Sequence, residues 1–202
     1  MAAIPRTRTR ESRERSRRRI IDATTELVRE RSYAELNVGE IMERAGIGRT
    51  IFYRHFDDLG DLLVRAGREA IDELLTAQLA LAQTRVATGP DDIRRAMELP
   101  VRVYSRHGPI LRAVAEAAAA DPGLIPAQAA IRQRFDELVA DALNRSDAGH
   151  NGGFADVMET AHALNLLNES FLLEAFGREP RVSPESAVST LTEIWAAVLG
   201  SQ

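Results

Sequence analysis

The chain has 202 residues, 45% of them hydrophobic, and contains no cysteine. That length suits one ordinary domain or a small head on a larger body, and disulfides and thiolate metal sites are excluded. The net charge of −4 hides an asymmetry: residues 1–57 carry 13 Arg against 9 acids, and residues 58–202 carry 13 Arg against 21. A basic head on an acidic body follows, and only the head suits a polyanion. All 26 basic residues are arginine. No apolar stretch approaches the ~18 residues that would span a bilayer, and no apolar h-region follows the early Arg run. A soluble cytoplasmic protein is expected.

Aromatic residues make up only 5% of the chain and strand-like alternation is missing, so an all-α fold of about nine helices is expected. The first runs over about 11–31, with Ile20, Ala23, Thr24, Leu27 and Val28 as its inward stripe. Ahead of it, Arg6, Arg8 and Arg10 fall in an expected disordered arm, suited to phosphate or minor-groove contact or simply a solvated tail. A short helix over 38–45 places Val38, Ile41, Met42 and Ala45 on one face, with Asn37 at its N-cap and Glu40 completing a capping-box-like pair. Gly46 supplies a tight turn, Ile47 an apolar plug, and a third helix covers 49–56. A long helix over 58–86 leads into the body. Breakers at 87–90, 106–109, 121–123, 146–153 and 177–184 then delimit helices at 90–106, 109–120, 123–145, 154–176 and 184–199.

Residues 38–56 have the layout of a helix-turn-helix, whose second helix enters the major groove N-terminus first. On a helical wheel Ile51, Phe52 and Phe56 point inward. Arg49, Thr50, Tyr53 and Arg54 point outward. Arg49 has the fork geometry for guanine, the Thr50 methyl suits a thymine methyl, and Tyr53 and Arg54 can reach phosphates or base edges. Each of these residues alone would read as a solvated surface; four together behind a glycine turn point to DNA. His55 lies nearer the inward arc and suits either a phosphate or a semi-buried site.

The run from Asn37 to Phe56 resembles the signature of the TetR family of transcription regulators: a helix, Ala45-Gly46-Ile47-Gly48, then Thr50-Ile51-Phe52-Tyr53-Arg54-His55-Phe56. The resemblance implies an N-terminal three-helix DNA-binding domain, here residues 1–57, and a C-terminal ligand-sensing and dimerisation domain, residues 58–202. It also implies a homodimer that is usually a repressor. Arg49, Thr50 and Tyr53 match base- and phosphate-contacting positions of the family, and Asn37 and Arg44 match positions that usually touch the DNA backbone. The chain departs from the pattern after the aromatic pair: Leu59, next to Asp57 and Asp58, stands where the family usually has a phosphate-contacting Lys.

In the body, the helices over 154–176 and 184–199 are apolar on wide faces, which fits either a two-helix contribution to a four-helix dimer interface or one internal core. The family habit favours the interface. Asn165 and Asn168 interrupt the first of these helices on one face. They are candidates for the polar groups of an apolar pocket, or for amides bonded to backbone. The body resembles that of the EthR-type repressors, which implies an elongated ligand channel lined here by Ile93, Val101, Tyr104, Phe135, Val139, Asn165, Asn168 and Trp195. Pro100 is expected to kink its helix and open space. A small, mainly apolar effector is therefore expected; a DNA-binding dimer without an effector is the alternative. An enzyme is disfavoured: His55, His107, His150 and His162 are scattered, Glu159-x-x-His162 has no second copy to complete a metal site, and no phosphate loop or dinucleotide fingerprint appears.

Overall fold

The computed structural model describes residues 6–83 and 89–200. Helix α1 (Arg6–Glu30), α2 (Val38–Arg44) and a 3-10 helix (Arg49–Arg54) form the head. Helices α3 (Leu59–Gln83), α4 (Pro90–Ala120), α5 (Ile125–Arg145), the short α6 (Asp147–His150), α7 (Val157–Phe176) and α8 (Pro184–Leu199) form the body. Among the described residues there is no strand, and no helix is long and apolar enough to cross a membrane. The expected end of the helix over 58–86 and the breaker at Ala87-Thr88 lie outside the described residues, as do Met1 to Pro5 of the expected arm.

Local chemistry sets most boundaries. The Asn37 side chain accepts from the Glu40 N–H at 2.9 Å and caps α2, and Asp156 and Ser183 cap α7 and α8 in the same way. Pro90 and Pro184 occupy first turns, where a missing N–H costs nothing. Helix α8 ends on Gly200 in the left-handed region.

Two expectations about elements need correction. Arg6, Arg8 and Arg10 belong to α1 rather than to a disordered arm, because the chain is helical from Arg6. The helices expected at 90–106 and 109–120 are one helix, α4, which runs through both Pro100 and Pro109. Gly108 reads as a breaker but serves close packing: a Cβ there would overlap the carbonyl of Phe176 at the end of α7.

Two apolar cores result. The head core joins Ile20, Leu27, Ile41, Met42, Phe52 and Phe56 to Leu62 and Leu63 of α3, and to Ile110, Ala113 and Ala117 of α4. The body core gathers α3, α4, α5, α7 and α8 around Met97, Val103, Leu143, Leu172, Leu191 and Trp195. Helix α4 therefore contributes its first half to the body core and part of its second half to the head core.

Candidate nucleic-acid interface and internal cavity

The head presents its polar residues on a fixed frame. Gly46, at φ 63°, makes the turn between α2 and the second helix, a conformation cheap only for glycine. Arg19 of α1 donates to the Gly46 carbonyl at 3.4 Å. Phe52 and Phe56 are buried, with ring centroids 5.6 Å apart, and they anchor the second helix from below. Arg49, Thr50, Tyr53 and Arg54 are exposed, Tyr53 at 60%. This segment is wound as a 3-10 helix, tighter than the α-helix expected; the Ile51 N–H bonds to the Gly48 carbonyl and that of His55 to the Phe52 carbonyl. Arg13 of α1 donates to the Arg54 carbonyl at 2.9 Å, tying the N-terminal part of α1 to the end of this helix. Sequence reasoning treated the early arginines mainly as charge and missed Arg13 and Arg19 as struts.

His55 is half-buried. Burial first, then the neighbouring positive charges of Arg13 and Arg17, hold its imidazole below the usual histidine value. Its neutral form is favoured by these surroundings. Asn37 is exposed although its carbonyl caps α2, and Arg44 pairs with Glu26 at 3.6 Å on the surface. The run Asp57-Asp58-Leu59 has a local role: Asp58 accepts from the Asp61 N–H at 2.8 Å and Asp61 accepts from the Asp57 N–H at 3.2 Å. These two acids cap α3, and Leu59 packs against the head core.

In the body a partly open cavity of ≈160 Å³ lies among α3, α4, α5 and α7. Its wall is mostly apolar, with Ile71, Leu74, Leu111, Phe135 and Leu172 among the lining residues. Of the residues that the family resemblance suggested, Tyr104, Phe135, Asn165 and Asn168 line it. Ile93, Val101 and Val139 are packed into the body core, and Val101 also borders a shallow surface groove between α4 and α8. Trp195 is buried beside the cavity and donates from its indole Nε1 to Asn168 Oδ1 at 3.1 Å. Pro100, inside α4, is part of the wall.

Both asparagines are held by side chains rather than by backbone. Asn165 Nδ2 donates to Asp136 Oδ1 at 2.8 Å, and His162 Nδ1 lies 2.7 Å from the other oxygen of that buried carboxylate. Asn165 thus keeps its carbonyl for a further partner, and Asn168 keeps its two amide hydrogens. Burial pushes the Tyr104 phenol well above its ordinary range, so the hydroxyl stays protonated. Arg132 and Glu169, paired at 3.2 Å, complete the polar part of the wall. Neither Asp136 nor the Arg132–Glu169 pair was singled out from the sequence; their only signal was an acid and a base at helical spacing near Phe135.

Two family models match this chain. Residues 20–66 match the family described as bacterial regulatory proteins, tetR family, and residues 93–200 match the C-terminal domain of the transcriptional regulator EthR. The chain belongs to the TetR family. It is a DNA-binding transcriptional regulator of the EthR-like kind rather than an enzyme. As a TetR-family member it is 28% identical over 182 residues to the HTH-type transcriptional regulator EthR of Mycolicibacterium smegmatis, covering 87% of this chain and 82% of the relative. It is 25% identical over 179 residues to EthR of Mycobacterium tuberculosis, covering 87% and 83%. The fold is shared with solved TetR-family proteins. One from Rhodococcus RHA1 superimposes with a TM-score of 0.75 at 18% identity, over 93% of this chain and 98% of that one. PfmR from Thermus thermophilus gives 0.69 at 18%, over 90% and 97%.

Proposed function

We propose that this TetR-family protein binds a pseudo-palindromic operator as a homodimer, and that a small, mainly apolar effector entering the body releases it as a repressor from DNA. Residues 1–57 would act as the reading head and 58–202 as the sensing and dimerising body. The observation that carries the reading is the cavity, because its walls come from α3, α4, α5 and α7 while α3 and α4 also pack into the head core. A cavity of ≈160 Å³ is close to the volume that holds one benzene-sized molecule. An elongated effector must spread these helices, and that spreading is what favours a second arrangement of the heads.

On DNA, Arg49, Thr50 and Tyr53 would meet base edges. Arg54, His55, Asn37 and Arg44 would meet phosphates, with Arg6, Arg8 and Arg10 adding affinity that does not depend on sequence. The heads would be paired through α7 and α8. Support comes from Leu166 and Leu167 of α7, which stand exposed on a helix whose other side is core. In the cavity, the Asn165 carbonyl and the Asn168 amide hydrogens would bind an effector carrying one acceptor and one donor, such as a secondary amide, with Tyr104 and Phe135 as walls.

The test starts from an operator selected out of random duplexes. Arg49→Ala should lower operator affinity by the ~1–3 kcal/mol of a lost base contact and leave random-duplex binding nearly unchanged. Secondary amides with linear alkyl chains should change Trp195 fluorescence and lower operator affinity together. A monomer in sedimentation at micromolar concentration, or an amide that binds without moving DNA affinity, would refute the corresponding half of the proposal.

A further inference from the structure

Arg112 is a buried arginine, 8% exposed, on a stretch of α4 that is otherwise Ile, Leu, Ala and Val. Burying a guanidinium is costly unless its donors are met. Here they are met by three different elements. Nη2 donates to the carbonyls of Val28 and Arg31, at 2.7 and 2.9 Å, at the C-terminus of α1. Nε donates to the carbonyl of Gly177, just past α7, at 2.8 Å. Nη1 pairs with Glu116 one turn along α4, and Glu116 also accepts from the Tyr33 N–H at 2.7 Å.

The sequence around this point leaves the carbonyls open for it. Ser32 would supply the next helical N–H to Val28, but that N–H bonds to Glu35 at 2.8 Å. The end of α1 therefore presents orphan carbonyls to the Arg112 guanidinium. Two glycines let the elements close in. A Cβ on Gly177 would crowd the Arg112 side chain, and one on Gly108 would collide with Phe176.

Both elements that hold Arg112 on the body side face the cavity. Leu111 and Ala115 flank it on α4, and Asn165, Asn168, Leu172 and Leu173 lie along α7 ahead of Gly177. On the head side, Arg31 continues through its own side chain to Glu40 of α2, at 3.1 Å. A route thus runs from the cavity wall through one guanidinium to the first helix of the helix-turn-helix, separate from the covalent path through α3.

We infer that Arg112 is a positioning residue for DNA recognition: the guanidinium joint that fixes the head's orientation on the body and so sets the spacing of the two recognition helices in the dimer. The spacing part rests on the reading of the protein as a dimer on two half-sites. Arg112 touches no DNA; it acts through α1.

The experiment uses the full-length protein and three variants, Arg112→Met, Arg112→Lys and Glu116→Ala, the last removing a half-buried partner where the first risks the fold. Amide hydrogen exchange over residues 28–35 should speed up by about tenfold to a hundredfold in Arg112→Met, as expected for losing bonds from a charged donor, and less in Glu116→Ala. Exchange in α5 and α7 should stay at the wild-type rate. Binding is then measured on the selected operator and on copies with one base pair added or removed between half-sites. Arg112→Met and Glu116→Ala should discriminate less between these spacings than the wild type, with random-duplex affinity unchanged; Arg112→Lys should restore part of the discrimination. Unchanged exchange at 28–35 overturns the inference. So does faster exchange with wild-type spacing discrimination, which would leave Arg112 a plain packing residue. If the wild type itself ignores spacing, the two-half-site reading fails and with it the spacing role, while the exchange data alone decide whether Arg112 is the joint.

Discussion

The head and the body are built from helices of similar kind but are filled differently. Around Ile41, Met42, Phe52 and Phe56 the head is closed, and these side chains are 0–1% exposed. The body surrounds a ≈160 Å³ space with helices that carry amides, a phenol and an ion pair along their inner faces. On the proposed reading the head holds four outward residues at one geometry, and its core leaves no room for alternatives. The body can afford looseness, and the two cavity asparagines are tied to other side chains rather than to the backbone. Close packing resists small volume changes, whereas helices around a void can be moved by what fills it.

The sharpest way to break this contrast is to hollow out the head. Phe52→Ala should cost about 3–5 kcal/mol and abolish binding to every duplex, because no neighbour can collapse into the space. Thermal unfolding and band-shift assays would check it; retention of operator binding would show that the head is not a rigid reader. Adding volume should separate the regions further. Ala45→Leu in the head core should cost about 1–3 kcal/mol by overpacking, while Ala115→Leu at the cavity wall should cost well under that. Equal losses in denaturant titrations would mean that the cavity is no softer than the core.

Asn165→Leu sharpens the account of the polar wall. The substitution leaves the buried Asp136 carboxylate with His162 as its remaining side-chain partner, so stability should fall by about 1–3 kcal/mol. DNA affinity of the folded protein should be unaffected. A neutral effect on unfolding would show that the amide serves no structural end. The smallest effect concerns His55. Its folded value lies below the ordinary 6.5, so the unfolded chain takes up the proton first as pH falls. Head stability should be full above pH 6.5 and decline below it, and His55→Gln should flatten that slope in denaturation series.

How much of this was legible in the sequence followed the range of the interactions. The reading head was legible because its determinants are local: the Asn37 cap, the glycine turn at Gly46 and the Phe52/Phe56 spacing all act within a few residues. The merging of two expected helices into α4 was not, because Gly108 answers to the backbone of Phe176, far along the chain. The same holds for the two asparagines. Their type and spacing pointed to a polar wall, but their partners Asp136 and Trp195 lie 29 and 27 residues away, and no pattern in the sequence names them. Arg112 was the clearest omission. An arginine set among Ile110, Leu111, Ala113 and Val114 was the visible signal, and its meaning depended on carbonyls more than 60 residues distant.

The central claim, that occupation of the body cavity and operator binding are coupled, is tested most directly by reciprocity. The affinity of a secondary alkyl amide, read by Trp195 fluorescence, is measured with and without saturating operator, and operator affinity with and without saturating amide. The account predicts that each ligand weakens the other by the same factor, within roughly 5- to 150-fold. An amide that binds equally well to the free and the DNA-bound protein would contradict it.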